Sequence, residues 1–115
     1  MIALVHTFAL LVYSVLIVFH VALAPVIFDE ISFRLVWYLG TDLGSVGFVA
    51  VNVIAMQTPV ANRLVWRICL ALNAVFIAFA ILNLVAVPQF INVFVLIVVV
   101  TITVAAALKY VRSPA

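Results

Sequence analysis

Two histidines and one aspartate stand in stretches that carry no other charge. Residues 1–28 and 68–108 contain no Asp, Glu, Lys or Arg, and Asp42 is the only charged residue between Arg34 and Arg63. His6 and His20 fall in the first uncharged stretch. An imidazole beside a carboxylate can pass protons, hold a quinone head group or contact a metal ion. The same pair can also be a purely structural hydrogen bond pinning one helix to the next. Spacing brings the two groups together. His6, Tyr13 and His20 recur every seven residues, and Asp42, Ser45 and Asn52 follow at i, i+3 and i+10, so each set shares one helix face at about 3.6 residues per turn. Counted from a turn centred near Ile31, His20 and Asp42 are each eleven residues away, so adjacent antiparallel helices place them at one height. Thr41 and Ser45 are the nearby hydrogen-bond donors. A second helix that began later would instead leave Asp42 near its N-terminus, at an interface.

The two histidines also have a spacing that suits haem. They lie fourteen residues apart on one face, about 21 Å along a helix. Bis-histidine ligation by His6 and His20 needs a symmetric parallel homodimer, and the first helix has no glycine to admit a porphyrin. A histidine at an interface is the alternative for His6. Asn73 and Asn83, like Asn92 and Thr103, are suited to gluing helices together, since such bonds contribute on average about 0.6 kcal/mol in membranes.

The elements that position these groups are long apolar helices. With 115 residues, 71% hydrophobic and 7% charged, the chain departs from soluble composition and accommodates about four bilayer spans of 20-odd residues. The expected fold is an all-α four-transmembrane-helix bundle with short loops, forming a single integral membrane domain over 1–115. Its helices cover about 2–27, 33–56, 62–87 and 89–110, punctuated by Pro25, Asp29-Glu30, Gln57-Thr58-Pro59 and Pro88. The Val/Ile-rich stretch 93–104 reads as helix, because a spanning segment must satisfy its backbone internally. Residues 1–24 end in Ala22-Leu23-Ala24 like a secretory signal, but they lack a basic n-region and are followed by Pro25, so a retained helix is expected.

Arg63, Arg67, Lys109 and Arg112 fall at one end and Arg34 at the other, which makes both termini cytoplasmic by the positive-inside rule, in an inner or plasma membrane. Arg63, Trp66 and Arg67 form a candidate contact with anionic lipid or a partner, as well as setting topology. Trp37, Tyr38, Phe90 and Tyr110 fall near interfaces. Gly40, Gly44, Ser45 and Gly47 would admit a closely packed neighbour.

Composition also excludes. A net charge of +2 with no basic cluster argues against nucleic acid. Cys69 is the single cysteine, so no internal disulfide forms. No phosphate loop, H-E-x-x-H or G-x-S-x-G occurs, and three acidic residues leave a hydrolase or metalloenzyme few groups to work with. Three function classes follow. The first is a non-catalytic accessory or structural subunit of a larger membrane complex. The second is a small homo-oligomeric proton-coupled transporter or channel using Asp42. The third is a quinone- or haem-binding redox protein using His20 and His6. In length and span number the chain is similar to small multidrug transporters and fluoride channels, a resemblance in size alone. The multidrug family's glutamate in the first helix has no counterpart here. Expected partners are the lipid bilayer and other membrane subunits or further copies of the chain.

Overall fold

A long apolar segment satisfies every backbone N–H and C=O within itself only as a helix. The computed structural model describes residues 1–113 and follows that rule, with α1 (Ile2–Ile27), α2 (Phe33–Gln57), α3 (Arg63–Ala86) and α4 (Phe90–Arg112). No strand occurs among the described residues. All four helices are long and apolar enough to cross a membrane. The Val/Ile-rich stretch lies inside α4, which runs two residues past the expected Tyr110, to Arg112.

Short connections force antiparallel neighbours. Each helix packs on two others, in the ring α1–α2–α3–α4 and back to α1. The bundle measures 52 × 22 × 21 Å. The α1–α2 and α3–α4 turns share one end, here the turn end; the α2–α3 turn and the chain termini share the other, the terminal end. At the turn end, Ser32 caps α2 by accepting the Leu35 amide at 3.2 Å. Asn92 donates to the Val87 carbonyl at 2.7 Å and accepts from Asn83 at 3.3 Å, which secures the turn that Pro88 imposes.

The middle of the bundle is filled by Leu10, Tyr13, Phe48, Val98, Val99 and Ile102. A second cluster, nearer the terminal end, packs Trp66 against Ala55, Cys69 and Ala106. Alanine and cysteine at these positions leave the room that a buried indole needs. Trp66 is only 1% exposed and donates to the Thr58 carbonyl at 3.2 Å, so it faces inward rather than toward lipid head groups.

Arg63 is also engaged within the chain. Its guanidinium donates to the carbonyls of Tyr110 at 2.8 Å and Ser113 at 3.0 Å, and lies 4.5 Å from the Tyr110 ring centroid. It therefore satisfies carbonyls that the end of α4 leaves open, with favourable charge at a helix C-terminus. Arg67 donates to the Tyr110 hydroxyl at 3.0 Å. Arg63→Ala is expected to cost about 1 kcal/mol and to fray the last turn of α4, read as faster amide exchange over residues 109–112 with no change elsewhere.

Candidate functional site

The polar residues of α1 and α2 meet as a ladder. The seven-residue repeat His6, Tyr13, His20 runs along α1, and Asn52, Ser45, Tyr38 runs along α2 with the same spacing in the opposite direction. Antiparallel packing therefore brings them together rung by rung. His6 Nε2 lies 3.1 Å from Asn52 Oδ1, Tyr13 Oη lies 2.9 Å from Ser45 Oγ, and the His20 ring stacks on Tyr38 with centroids 3.7 Å apart and planes inclined by 13°.

The His6 rung is wholly buried, although His6 Nδ1 has no hydrogen-bond partner among the described residues. Asn52 and Asn73 exchange two hydrogen bonds, Nδ2 of Asn52 to Oδ1 of Asn73 at 2.8 Å and the reverse at 3.1 Å. Asn52 also donates to the Phe48 carbonyl at 2.9 Å, and its Oδ1 takes a longer contact from Cys69 Sγ at 3.5 Å. Because Asn52 Oδ1 is the acceptor throughout, His6 must donate through Nε2–H. His6, Asn52, Asn73 and Cys69 are all completely buried. His6 is thus no interface residue: it joins α1 to the amide pair that ties α2 to α3. Haem ligation through a homodimer would need His6 on an outer face, whereas its imidazole points inward.

The His20 rung is open. His20 Nδ1 lies 2.6 Å from Asp42 Oδ1, and Asp42 is 6% exposed as a residue, one turn deeper in α2 than Tyr38. The Tyr38 hydroxyl donates to the His20 carbonyl at 2.8 Å. The stack and the Asp42 contact together fix the imidazole, with Nδ1 turned toward the carboxyl group. The His20 side chain nevertheless remains 40% exposed and lines a cleft. Asp42 Oδ2 is buried and has no hydrogen-bond partner among the described residues. The two donors expected for Asp42 are engaged elsewhere: Thr41 bonds the Tyr38 carbonyl at 2.6 Å, and Ser45 bonds Tyr13.

The cleft runs between α2 and α3. Its mouth, about 700 Å³, is walled by His20, Arg34, Tyr38, Thr41 and Asn83 at the turn end. Through the shared walls Phe33, Trp37, Thr41 and Phe79 it continues into an apolar groove of about 760 Å³ along Gly40, Gly44 and Gly47. The glycine face was expected to admit a close neighbour, but α3 stands off from it. A Cβ at Gly40 or Gly47 would meet nothing within 4 Å among the described residues, and one at Gly44 only the Phe76 ring at 3.9 Å. The cause is aromatic. Phe48 and Phe76 stack between α2 and α3 with centroids 4.6 Å apart, and Tyr13 packs edge-on to both.

Chemically, the arrangement offers one oriented imidazole, held by a carboxyl group and partly exposed along a cleft with aromatic walls. Among the described residues no cluster of three or more metal-ligating side chains accompanies it. No protein-family model, curated protein or solved structure matches the chain, so the reading of this site rests on its own geometry.

Proposed function

We propose that this chain is an integral membrane protein, crossing the bilayer four times with both termini cytoplasmic, and that its work is to bind a small ligand at His20 and Asp42. The charge distribution supports that topology, with four basic residues at the terminal end against Arg34 at the turn end. The site would then open in the outer half of the membrane.

The observation that carries the ligand reading is the contrast between the two histidines. A histidine that joins helices is built like His6, with no exposed surface from which either ring nitrogen could reach a ligand, even though its Nδ1 is unpaired among the described residues. His20 is oriented just as firmly, by Asp42 and by Tyr38, yet its imidazole is left 40% exposed in a cleft. Placing a carboxylate such as Asp42 in an apolar bundle is costly, and ionisable groups in such places are by default candidates for function. Native mass spectrometry of the protein extracted in a mild detergent tests this. The wild type is expected to carry a bound small molecule that His20→Ala loses. A wild type without adduct, indistinguishable from His20→Ala, contradicts the reading.

A second reading, the accessory or structural subunit of a larger complex, is favoured by the uncovered glycine face of α2, on which a partner helix would pack closely. Purification with a larger protein at fixed stoichiometry, disrupted by Gly40→Leu, is the outcome that would select it. Proton-coupled transport would use the same Asp42.

A further inference from the structure

We propose that the α2–α3 cleft binds a ring-headed amphiphile of the quinone class, with its oxygen-bearing ring at His20 and its apolar tail along the glycine face of α2. The inference rests on the reading that His20 and Asp42 form a ligand site, and it names the ligand's class.

The head chemistry follows from the orientation of the imidazole. With Nδ1 directed at Asp42 at 2.6 Å, Nε2 is the nitrogen left without a hydrogen-bond partner among the described residues. As a lone pair it accepts a hydrogen bond from a ring hydroxyl. As N–H, with Asp42 as counter-charge, it donates to a ring carbonyl. Quinols present the first group and quinones the second, so one site serves both without rearrangement. The walls favour a flat head. Tyr38 is stacked on His20, and Phe33, Trp37 and Phe79 border the mouth; aromatic rings prefer such offset or edge contacts. A phosphate head would meet a single guanidinium, that of Arg34, with the Asp42 carboxylate behind the imidazole.

The tail argument is geometric. Mouth and groove share four lining residues, so a mouth that carries the polar groups adjoins a nearly apolar groove. Each part falls within the roughly 300–1,000 Å³ typical of ligand pockets. The open space beside Gly40 and Gly47 is a trough that a linear chain fills.

The test uses decylubiquinone added to the full-length protein in phosphatidylcholine nanodiscs, read by quenching of tryptophan fluorescence. Trp37 borders the cleft, whereas Trp66 is buried near the terminal end. Saturable quenching is expected that Trp37→Phe removes. Affinity should fall at least tenfold in His20→Ala. It should fall at least tenfold in Gly40→Leu, whose Cβ meets nothing within 4 Å among the described residues, with circular dichroism verifying that the fold is kept. The tailless head group, 2,3-dimethoxy-5-methylbenzoquinone, should bind at least tenfold more weakly than the decyl compound.

Quenching that never saturates, or that is unchanged in both variants, overturns the inference. Equal affinity for the tailless compound overturns the tail assignment while leaving a His20 ligand site standing. Stoichiometric displacement by phosphatidylglycerol assigns the cleft to a phospholipid and overturns the quinone class. A native adduct lost in His20→Ala, combined with no decylubiquinone binding, likewise rejects the class and keeps the site.

Discussion

Asn52→Leu is expected to destabilise the protein by about 3–5 kcal/mol, measured by reversible unfolding in detergent. Interhelical hydrogen bonds in membranes average only about 0.6 kcal/mol, because the unfolded state in lipid also finds partners. A count of single bonds would therefore predict a small effect. Asn52 differs in being a hub. Its loss strands His6 Nε2–H and both ends of the Asn73 amide at one completely buried place, while the Phe48 carbonyl keeps its helical backbone partner. Each buried group left unsatisfied costs about 1–3 kcal/mol. The stranding term wins over the average-bond term. The same logic predicts strong non-additivity: His6→Leu, Asn52→Leu and Asn73→Leu combined should cost clearly less than the sum of the three singles, since only the weakly polar Cys69 thiol is left to strand. A loss below about 1 kcal/mol for Asn52→Leu, or simple additivity, would show that the cluster is not a cooperative unit.

The second large effect separates stability from binding at the other rung. His20→Ala leaves the Asp42 carboxylate buried with neither oxygen bonded among the described residues. Breaking a fully buried pair costs about 3–5 kcal/mol; with the imidazole 40% exposed, water reaches the site and about 2 kcal/mol is the expected loss. Replacing both residues by leucine should restore near wild-type stability, because a hydrophobic pair of similar volume is often neutral or stabilising relative to a buried ion pair. That double variant should nonetheless carry no ligand. Thermal unfolding and native mass spectrometry on the same three samples give the answer. A double variant as unstable as His20→Ala would mean that the pair is needed for folding.

The His20–Asp42 contact was legible because both residues stand equally far from one turn, and the chain has few other polar groups to confuse the pairing. Height alone was a coarse guide, however. His20 is level with Tyr38, and reaches Asp42 one turn deeper because the Tyr38 ring fills the space directly opposite. The His6 cluster was only half legible. The shared seven-residue spacing of His6, Tyr13, His20 and of Asn52, Ser45, Tyr38 was present in the sequence, and pairing the two series in opposite directions yields all three rungs. Asn73 joins from α3, and no spacing within one helix announces which residue of another will face it. The glycine face was visible as a stripe, but its openness was not. Whether α3 closes on Gly40, Gly44 and Gly47 depends on the bulk of Phe48 and Phe76 between the helices, a packing outcome that no local pattern encodes. Trp66 illustrates the same limit: an indole next to two arginines resembles an interface anchor until Ala55, Cys69 and Ala106 make room for it inside.

The most direct test of the central claim exploits the presence of just two histidines. Histidine-selective ¹⁵N NMR of the protein in phosphatidylcholine bilayers resolves both imidazoles and reports which nitrogen carries the proton. Without ligand, His6 should be protonated at Nε2 and His20 at Nδ1, as their partners Asn52 and Asp42 require. Adding a lipid extract of the native membrane should shift the His20 Nε2 resonance while the His6 signals stay fixed. A His20 resonance indifferent to that extract, or one protonated at Nε2 alone, would contradict a ligand site built on His20 and Asp42.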